Sequence, residues 1–577
     1  MASPHRSRSP ERRRPAAMLA VVLSLLLVVS ACSSGDDGDG GDVDDDGAAQ
    51  GSESTSTDVE GVDRSEPCPT ETEAAEFASA EEMRDLLAEF NGFGLRSPGS
   101  DQHEASLDWL ADQLAEVPGM EIEWDEYEMD RWEPTPEAEG DTPGRDLAAA
   151  GGLNVDDGSG TREMEVIGAV PFSLPTDETG ASGSMVYLGP DEPLTPANAS
   201  GKVVVQEVAP GTIPASVFEL IAHHMTDDIA ATGDYARPYL RPLDEMLTAA
   251  GKADAAGLVI LWDAPTDQLR GYWDPHSGTR HHVPSVFVGS DHAQEIRDLA
   301  GSGATAEVVV RAEWAEVPTR NLIATLPGET RERIIVNTNT DSVNWVQENG
   351  PVAAVAMARY FGSLPVECRS RDIQFALTSN HLGYSGDGTF RYGEQLDQDF
   401  DDGTVAFVMA LEHLGAREIL PVEGAADGEL ELTGEAEMFA WSAPDESPAL
   451  VEASVDAVKR RGLNRTIVLE GVGLPSDETV PSICSQGGLG TNFHGILIPT
   501  IAGISGPWSL WAPSFGEDAI DFDRMRDQTL AFTDVAIQLD DVPQPEIAGG
   551  YIDAREQRAG GATTCEVPRP PAVAPTS

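Results

Sequence analysis

Lysine is nearly missing from this chain. It occurs at positions 202, 252 and 459 alone among 577 residues, and 100 acidic residues against 36 Lys and Arg leave a formal net charge of −64 at pH 7. Nucleic acid is thereby excluded as a partner, because phosphate contacts are built on clustered lysine and arginine. The same charge suits solubility at high ionic strength, where self-repulsion is screened; a salt-adapted source is expected, marked by loss of folding in low salt. Long apolar runs are also lacking. The one run, MLAVVLSLLLVV from Met18 to Val29, is shorter than the roughly 20 residues a bilayer span needs. Cysteine is scarce, with five residues at 32, 68, 368, 484 and 565.

What is present begins with a leader. Arg6, Arg8 and Arg12 to Arg14 precede the apolar run, which ends in Val29-Ser30-Ala31-Cys32. The ending resembles a bacterial lipobox. That resemblance implies a signal peptide over 1–31, lipidation of Cys32, and anchorage on the extracellular face of the cell membrane, each buried CH₂ contributing about 0.8 kcal/mol. A plain secretory signal with an incidental cysteine is the alternative. Residues 33–66 carry twelve acids, one arginine (Arg64) and hardly an aliphatic group, so nothing there offsets the entropy of ordering. A lipidated cysteine and disordered acidic tether are expected over 32–72. Setting Cys32 aside leaves four cysteines in an oxidising compartment, which allows two disulfides in any of three pairings. The expected pairs are Cys68 with Cys565 and Cys368 with Cys484.

Helical signals open the folded part, over 73–140. Ser79-Ala-Glu-Glu82 has the form of a capping box and Asn91-Gly92 of a stop; a second helix follows Ser100, with Leu107, Leu110, Ala111 and Leu114 on one face. His103, one turn before that stripe, is read as a packing residue. Met120, Ile122 and Trp124 then alternate with acids as in a half-buried strand. From about 160 to 315 the chain turns to short β-rich runs, GSMVYLG, GKVVVQEV, AAGLVILWD, VPSVFVGS and AEVVVRAEW, whose order resembles a protease-associated (PA) domain. His223-His224 and His281-His282 sit in this stretch. Neighbouring histidines diverge on either strand or helix, so neither pair chelates by itself, and both are taken as surface or cap residues. The segment FELIAHHMTDDIAATGDYARPYLRPLDEML between these runs either lines a pocket or extends the domain.

Over 318–542 strand-like and helix-like runs alternate, from RERIIVNTNTD to FDRMRDQTLAFTDVAIQL. Alternation of this kind predicts an α/β fold, a mostly parallel mixed sheet covered by helices on both faces, with function at the carboxyl ends of the strands. A Pro/Gly-rich tail, loosely attached apart from Cys565, is expected over 543–577. Polar clusters fall just past successive strands: Asn339 and Asp341, then Glu348-Asn349-Gly350 before a helix, Asn380-His381, and Glu412-His413. Clusters at one edge of one sheet can converge on a single pocket. The sequence GYSGD at 383–387 misses the Gly-x-Ser-x-Gly spacing, which argues against a serine nucleophile.

This order of clusters, with FGLRSPGSDQHEASLDWL near the start and the PA-like insertion, resembles the zinc aminopeptidase-like metallopeptidase clan of aminopeptidase Y, glutamate carboxypeptidase and the transferrin receptor, which also includes glutaminyl cyclase. Working members hold two zinc ions with a His-x-Asp, an Asp-Asn, a Glu-Glu, a further Asp and a late His, and the first Glu of the pair is the general base. Here the first His position is Asn339, with Asp341 kept; the bridging Asp is Glu348; the Glu-Glu is Asn380-His381; the further Asp is Glu412. Thr491 stands near the place of the late His, with His494 three residues on.

The resemblance therefore implies an altered site. Glu348, His381 and Glu412 keep lone pairs that zinc accepts, so one divalent ion, zinc first, is expected there, with Asp341, Asn339, His494 or waters completing the shell. The base position is the amide of Asn380, and Glu348 or Glu412 is its replacement where it does not bind the metal; losing a general base typically costs about 10²- to 10⁴-fold. His413, if the strand continues past Glu412, points away from it. Two functions follow from different classes: a lipid-anchored aminopeptidase or amide hydrolase acting on a peptide or small amide, and a catalytically inactive binding protein on a peptidase scaffold. Glutaminyl cyclase chemistry is a weaker third.

Overall fold

The computed structural model describes residues 68–138, 143–190, 192–229, 233–275, 278–379, 381–382, 387–474, 484–562, 565 and 573–576. Cys32, the acidic tether as far as residue 67, Asn380 and most of the GYSGD segment lie outside them, whereas residues 68–72, expected to belong to the tether, are fixed to the fold by the Cys68–Cys368 disulfide and by the Thr72 N–H, which donates to Asp534.

Nine strands make the main sheet: β1 (Glu121–Pro134), β2 (Ala222–Met225), β3 (Ala312–Leu326), β4 (Arg333–Asn339), β5 (Asp372–Thr378), β6 (Val405–Leu411), β7 (Phe439–Ser442), β8 (Thr466–Leu469) and β9 (Thr500–Ile504). Their spatial order is β1-β3-β5-β4-β6-β9-β7-β8-β2. The centre, β5-β4-β6-β9, is parallel, and antiparallel pairs flank it at β3/β5 and β9/β7. Because β4 leads to β5 on one side and β5 leads to β6 on the other, the chain reverses direction across the sheet beside β4. A crevice outside the carboxyl ends of the strands at such a reversal is where open α/β sheets bind ligands.

Seven helices matter for the site: α1 (Ala80–Asn91), α2 (Asp101–Ala115), α3 (Gly350–Ser363), α4 (Asp387–Asp401), α5 (Pro448–Arg461), α6 (Gly490–Gly495) and α7 (Phe522–Leu539). The Ser79/Glu82 capping box opens α1, and Ser100 caps α2 through the His103 N–H. Strand alternation divides the core. Ile334 and Val336 of β4 pack with α1, α2, α3, α5 and α7, while Ile335 faces the opposite side with Tyr392, Leu396 and Phe400 of α4. Burying such a side chain contributes about 1.5–3 kcal/mol, so both faces hold the sheet.

A second, eight-stranded sheet occupies residues 151–310. Val203, Val205, Val259 and Leu261 form its own core, and Val204, Leu258 and Ile260 join the core of the main sheet. The FELIAHHM segment leaves this unit altogether. After a short helix, Ala215–Ile221, it becomes β2 and adds to β8 as an antiparallel edge strand.

Three expectations are corrected. The disulfides are Cys68–Cys368 and Cys484–Cys565, with Cα separations of 5.3 and 5.4 Å, in place of Cys68–Cys565 and Cys368–Cys484. The reason is packing: the first described residues lie along α3, where the Glu73 N–H donates to Tyr360 Oη at 3.0 Å, and Cys484 and Cys565 share a cluster with Tyr551. The chain after 543 is not loose as far as 559. It forms helices at Gln544–Ala548 and Gly550–Ala559, with Tyr551 fully buried. His281, expected at the surface, is buried with Nε2 3.1 Å from Asp244.

Candidate metal centre

Two loops are tied together before any ligand is placed. After β4 the chain runs through a turn organised by Asn344, whose Oδ1 accepts from the Val346 and Gln347 N–H groups at 2.9 Å and whose Nδ2 donates to Ser509 and Leu510 carbonyls. Asn349 then clamps this loop to the end of β6. Its Nδ2 donates to Leu414 O at 2.7 Å and its Oδ1 accepts from the Leu414 N–H at 2.9 Å. Gly350 permits the approach: a Cβ there would lie 2.0 Å from Thr338 Oγ1 and 2.5 Å from Leu411 O. The clamp sets Glu348 beside Glu412 and His413.

One ligand atom from each of Glu348, Glu412 and His413 lies within 4.8 Å of the others, and all three side chains are buried. Each carboxylate is held by one oxygen. Glu348 Oε1 accepts from the Gly350 N–H at 3.2 Å and the His413 N–H at 3.4 Å, and Glu412 Oε2 accepts from the Leu489 N–H at 2.7 Å. His413 Nδ1 lies 2.7 Å from the Ser505 carbonyl, an acceptor only, so Nδ1 carries the proton and Nε2 keeps its lone pair. What remains is Glu348 Oε2, Glu412 Oε1 and His413 Nε2, each buried with no hydrogen-bond partner. His413 Nε2 faces Glu348 Oε2 at 3.6 Å. Two lone pairs facing each other in a buried site require a proton, a cation or a donor between them. The donor set, one imidazole and two carboxylates, is one that zinc accepts in three-ligand sites.

The electrostatics agree. Burial, then the neighbouring Glu412, pushes the Glu348 carboxyl well above the ordinary range. Burial raises Glu412 to about 7 against the Leu489 N–H, which lowers it. His413 falls to about 3 through burial and the nearby His381, so it is a neutral ligand at any working pH. In metal-free protein the folded state holds the Glu412 proton more tightly than the unfolded chain does. That contribution is fully present below the unfolded value of about 4.3 and is lost as pH rises through about 7. Unfolding free energies of chelator-treated wild type and Glu412→Gln are therefore expected to diverge by about 3 kcal/mol between pH 4 and pH 8, wild type losing the more. A divalent ion held by these groups would bind more weakly as pH falls, because protons compete for Glu348 and Glu412 alike.

His381, Asp341 and His494, expected to share an ion with Glu348 and Glu412, are not part of this group. Asp341 is buried, accepts from the Leu382 N–H through Oδ2, and leaves Oδ1 without a partner. His381 is half-buried, and burial lowers its pKa while Asp341 opposes. Asn339 is buried with Oδ1 3.4 Å from Thr378 Oγ1. Thr491 pairs with Ser485 Oγ at 3.0 Å. His494 is not available to a metal: Nε2 donates to Val472 O at 2.9 Å and Nδ1 accepts from Tyr551 Oη at 2.6 Å. His103 packs as expected and also reaches Thr340 Oγ1 at 2.9 Å.

His413 is the residue that strand alternation misplaces. Strand β6 ends at Leu411 and His413 has a φ of 55°, so the chain turns and the imidazole comes round to the side of Glu348. The Leu-Gly at 414–415 was the sequence signal for a turn here, Gly415 itself having a φ of 68°.

No family model matches the chain, and no curated protein does. Solved structures do. The zinc aminopeptidase BSAP from Bacillus subtilis matches with a TM-score of 0.55 at 15% identity, over 84% of this chain and 99% of its own. The peptidase M28 precursor from Shewanella amazonensis SB2B matches with a TM-score of 0.52 at 13% identity, over 85% of this chain and 95% of its own. At these identities the likeness is one of fold: the chain shares the mixed α/β architecture of these two structures.

Proposed function

We propose that the protein is a single-metal hydrolase of peptides or small amides, held on the outer face of the cell membrane through lipidated Cys32, with its ion bound by Glu348, Glu412 and His413. The supporting observation is the trio of buried lone pairs, Glu348 Oε2, Glu412 Oε1 and His413 Nε2, that lack any hydrogen bond. A divalent ion there supplies Lewis-acid polarisation of a carbonyl and acidifies water.

The chain's own groups have separate duties. Ser505 O fixes the His413 tautomer, and the Leu489, Gly350 and His413 N–H groups each hold one oxygen of a ligand carboxylate. Asp341 Oδ1, unpartnered, is the carboxylate oxygen free to receive a proton from water. Asn380, at the position of the general base by resemblance, is an amide and accepts no proton at neutral pH. The eight-stranded unit, whose sequence runs resemble a PA domain, packs on Leu382, the residue whose N–H donates to Asp341.

Asn380 also favours a second reading, a catalytically silent binding protein on the same scaffold. Elemental analysis, with release of amino-terminal residues from chromogenic amides, separates the two. Bound metal with turnover supports the hydrolase; bound metal without turnover, and activity only in the Asn339→His/Asn380→Glu double variant, supports the silent form. No metal and no turnover retires the metal site and the hydrolase together.

A further inference from the structure

We propose that the last helix, Gly550–Ala559, is a positioning post for the metal centre: through Tyr551, His494 and the Cys484–Cys565 disulfide it fixes the loop 484–489 that aims Glu412. The inference rests on the assignment of Glu348, Glu412 and His413 as ligands and adds how one of them is held.

The Glu412 carboxylate is gripped by backbone. Among the described residues its hydrogen bond comes from the Leu489 N–H at 2.7 Å. Gly488 approaches just as closely: it has a φ of 50°, and a Cβ there would lie 2.0 Å from Glu412 Oε2. Glu348 and His413 are held from elsewhere, by the Gly350 N–H, the His413 N–H and the Ser505 carbonyl at the exits of β4, β6 and β9. The three donor atoms converge only while loop 484–489 keeps its place against those exits. That loop belongs to no strand of either sheet, so its place has to be supplied from outside.

The supply runs back to the last helix. Ser485 pairs with Val472, the Val472 N–H donating at 2.7 Å and the Ser485 N–H at 3.2 Å, and Ser485 Oγ lies 3.0 Å from Thr491 Oγ1. Val472 O also receives His494 Nε2 at 2.9 Å, and His494 Nδ1 receives Tyr551 Oη at 2.6 Å. Cys484, at the start of the loop, is bonded to Cys565 beyond the end of the helix. The helix is itself anchored. Arg555 donates through Nε to Asp401 Oδ1 and through Nη2 to Asp397 O of α4, both at 2.7 Å, and through Nη1 to Ile496 O at 3.0 Å, while the Gly550 N–H donates to Glu446 O at 2.8 Å. Cys484, His494 and Tyr551 are fully buried, so a partner removed there is not replaced by bulk water. His494 thus serves the centre from behind the ligands, as the joint between helix and loop.

The second disulfide provides the control. Cys368 precedes β5, which begins at Asp372, so the Cys68–Cys368 bridge lies at the edge of the sheet opposite the site. Zinc is titrated calorimetrically into the chelator-treated full chain as wild type, Cys484→Ser/Cys565→Ser, Cys68→Ser/Cys368→Ser and Tyr551→Phe, each below its own metal-free melting temperature. Both disulfide variants are expected to melt lower, since each loses a cross-link. Cys484→Ser/Cys565→Ser is expected to bind zinc at least about tenfold more weakly, the range for groups that orient a ligand, and Cys68→Ser/Cys368→Ser within about threefold of wild type. Tyr551→Phe keeps the packed ring and loses the hydroxyl; it is expected to weaken zinc by about three- to tenfold.

Equal losses of affinity in the two disulfide variants, or wild-type affinity in Cys484→Ser/Cys565→Ser, overturn the inference while leaving the ligand assignment intact. If Cys484→Ser/Cys565→Ser does not fold, Tyr551→Phe decides, and wild-type affinity there overturns it. No zinc bound by wild type removes the ligand assignment and the inference with it.

Discussion

Replacing His413 by alanine is expected to weaken zinc binding by at least about 100-fold and to leave the metal-free chain folded, destabilised by about 1–3 kcal/mol because the Ser505 carbonyl loses the Nδ1–H that it binds. Groups that only orient metal ligands are worth about 10- to 100-fold in affinity, and His413 supplies one of three converging donor atoms. The fold should tolerate the change because the local backbone is held independently of the ring. The His413 carbonyl still accepts from Ser505 Oγ at 2.7 Å, and its N–H still donates to Glu348. Calorimetric titration measures the affinity, and melting with and without zinc measures the linkage. At free zinc 100 times its Kd, wild type gains about 2.7 kcal/mol, and His413→Ala should gain almost nothing at the same concentration. Wild-type affinity in His413→Ala would mean that the imidazole is no ligand and that Glu348 and Glu412 merely share protons.

Glu437→Ala is expected to cost about 3–5 kcal/mol of folding stability, the penalty for leaving a buried charge without its partner. Glu437 lies just before β7 and receives Arg237 Nε at 3.2 Å and Nη2 at 3.1 Å, both side chains being buried. Arg237 also reaches Glu418 Oε1 at 3.4 Å, and Glu418 pairs with Arg465. Two arginines and two glutamates thus close a buried network between the segment that carries β2 and the main sheet. Removing Glu437 leaves two guanidinium groups around one carboxylate. Urea unfolding reads the loss through its midpoint at constant slope. The double change Arg237→Met/Glu437→Leu should recover most of it, since an apolar pair of similar volume replaces a buried ion pair with little loss. A loss under 1 kcal/mol for Glu437→Ala would show that water or rearrangement already screens the network.

The legible part of the site was its address. Polar clusters after IIVNTN, FALT and VMAL mark carboxyl ends of adjacent strands, and Glu348 and Glu412 do meet there. The third ligand was not legible. His413 and His494 look equivalent as letters, yet one keeps a free lone pair and the other spends both nitrogens on Val472 and Tyr551. Tyr551 lies in a stretch whose Pro, Gly and Ala content suggested a loose tail. Composition understates a segment that a buried tyrosine and a disulfide secure.

The sequence alone determined whatever depends on neighbours a few residues apart: the Ser79/Glu82 cap of α1, the Ser100 cap of α2, the alternation that turns Ile334 and Ile335 to opposite faces, and the order of strands and helices that makes an α/β sheet. Tertiary structure decided the rest. Cys68 met Cys368 across 300 residues, residues 222–225 left the inserted unit to edge the main sheet, and the Arg96 backbone came to pair with that of Ser342. These contacts join chain segments whose separation carries no local pattern, so only the packing of the two sheets and their helices could select them.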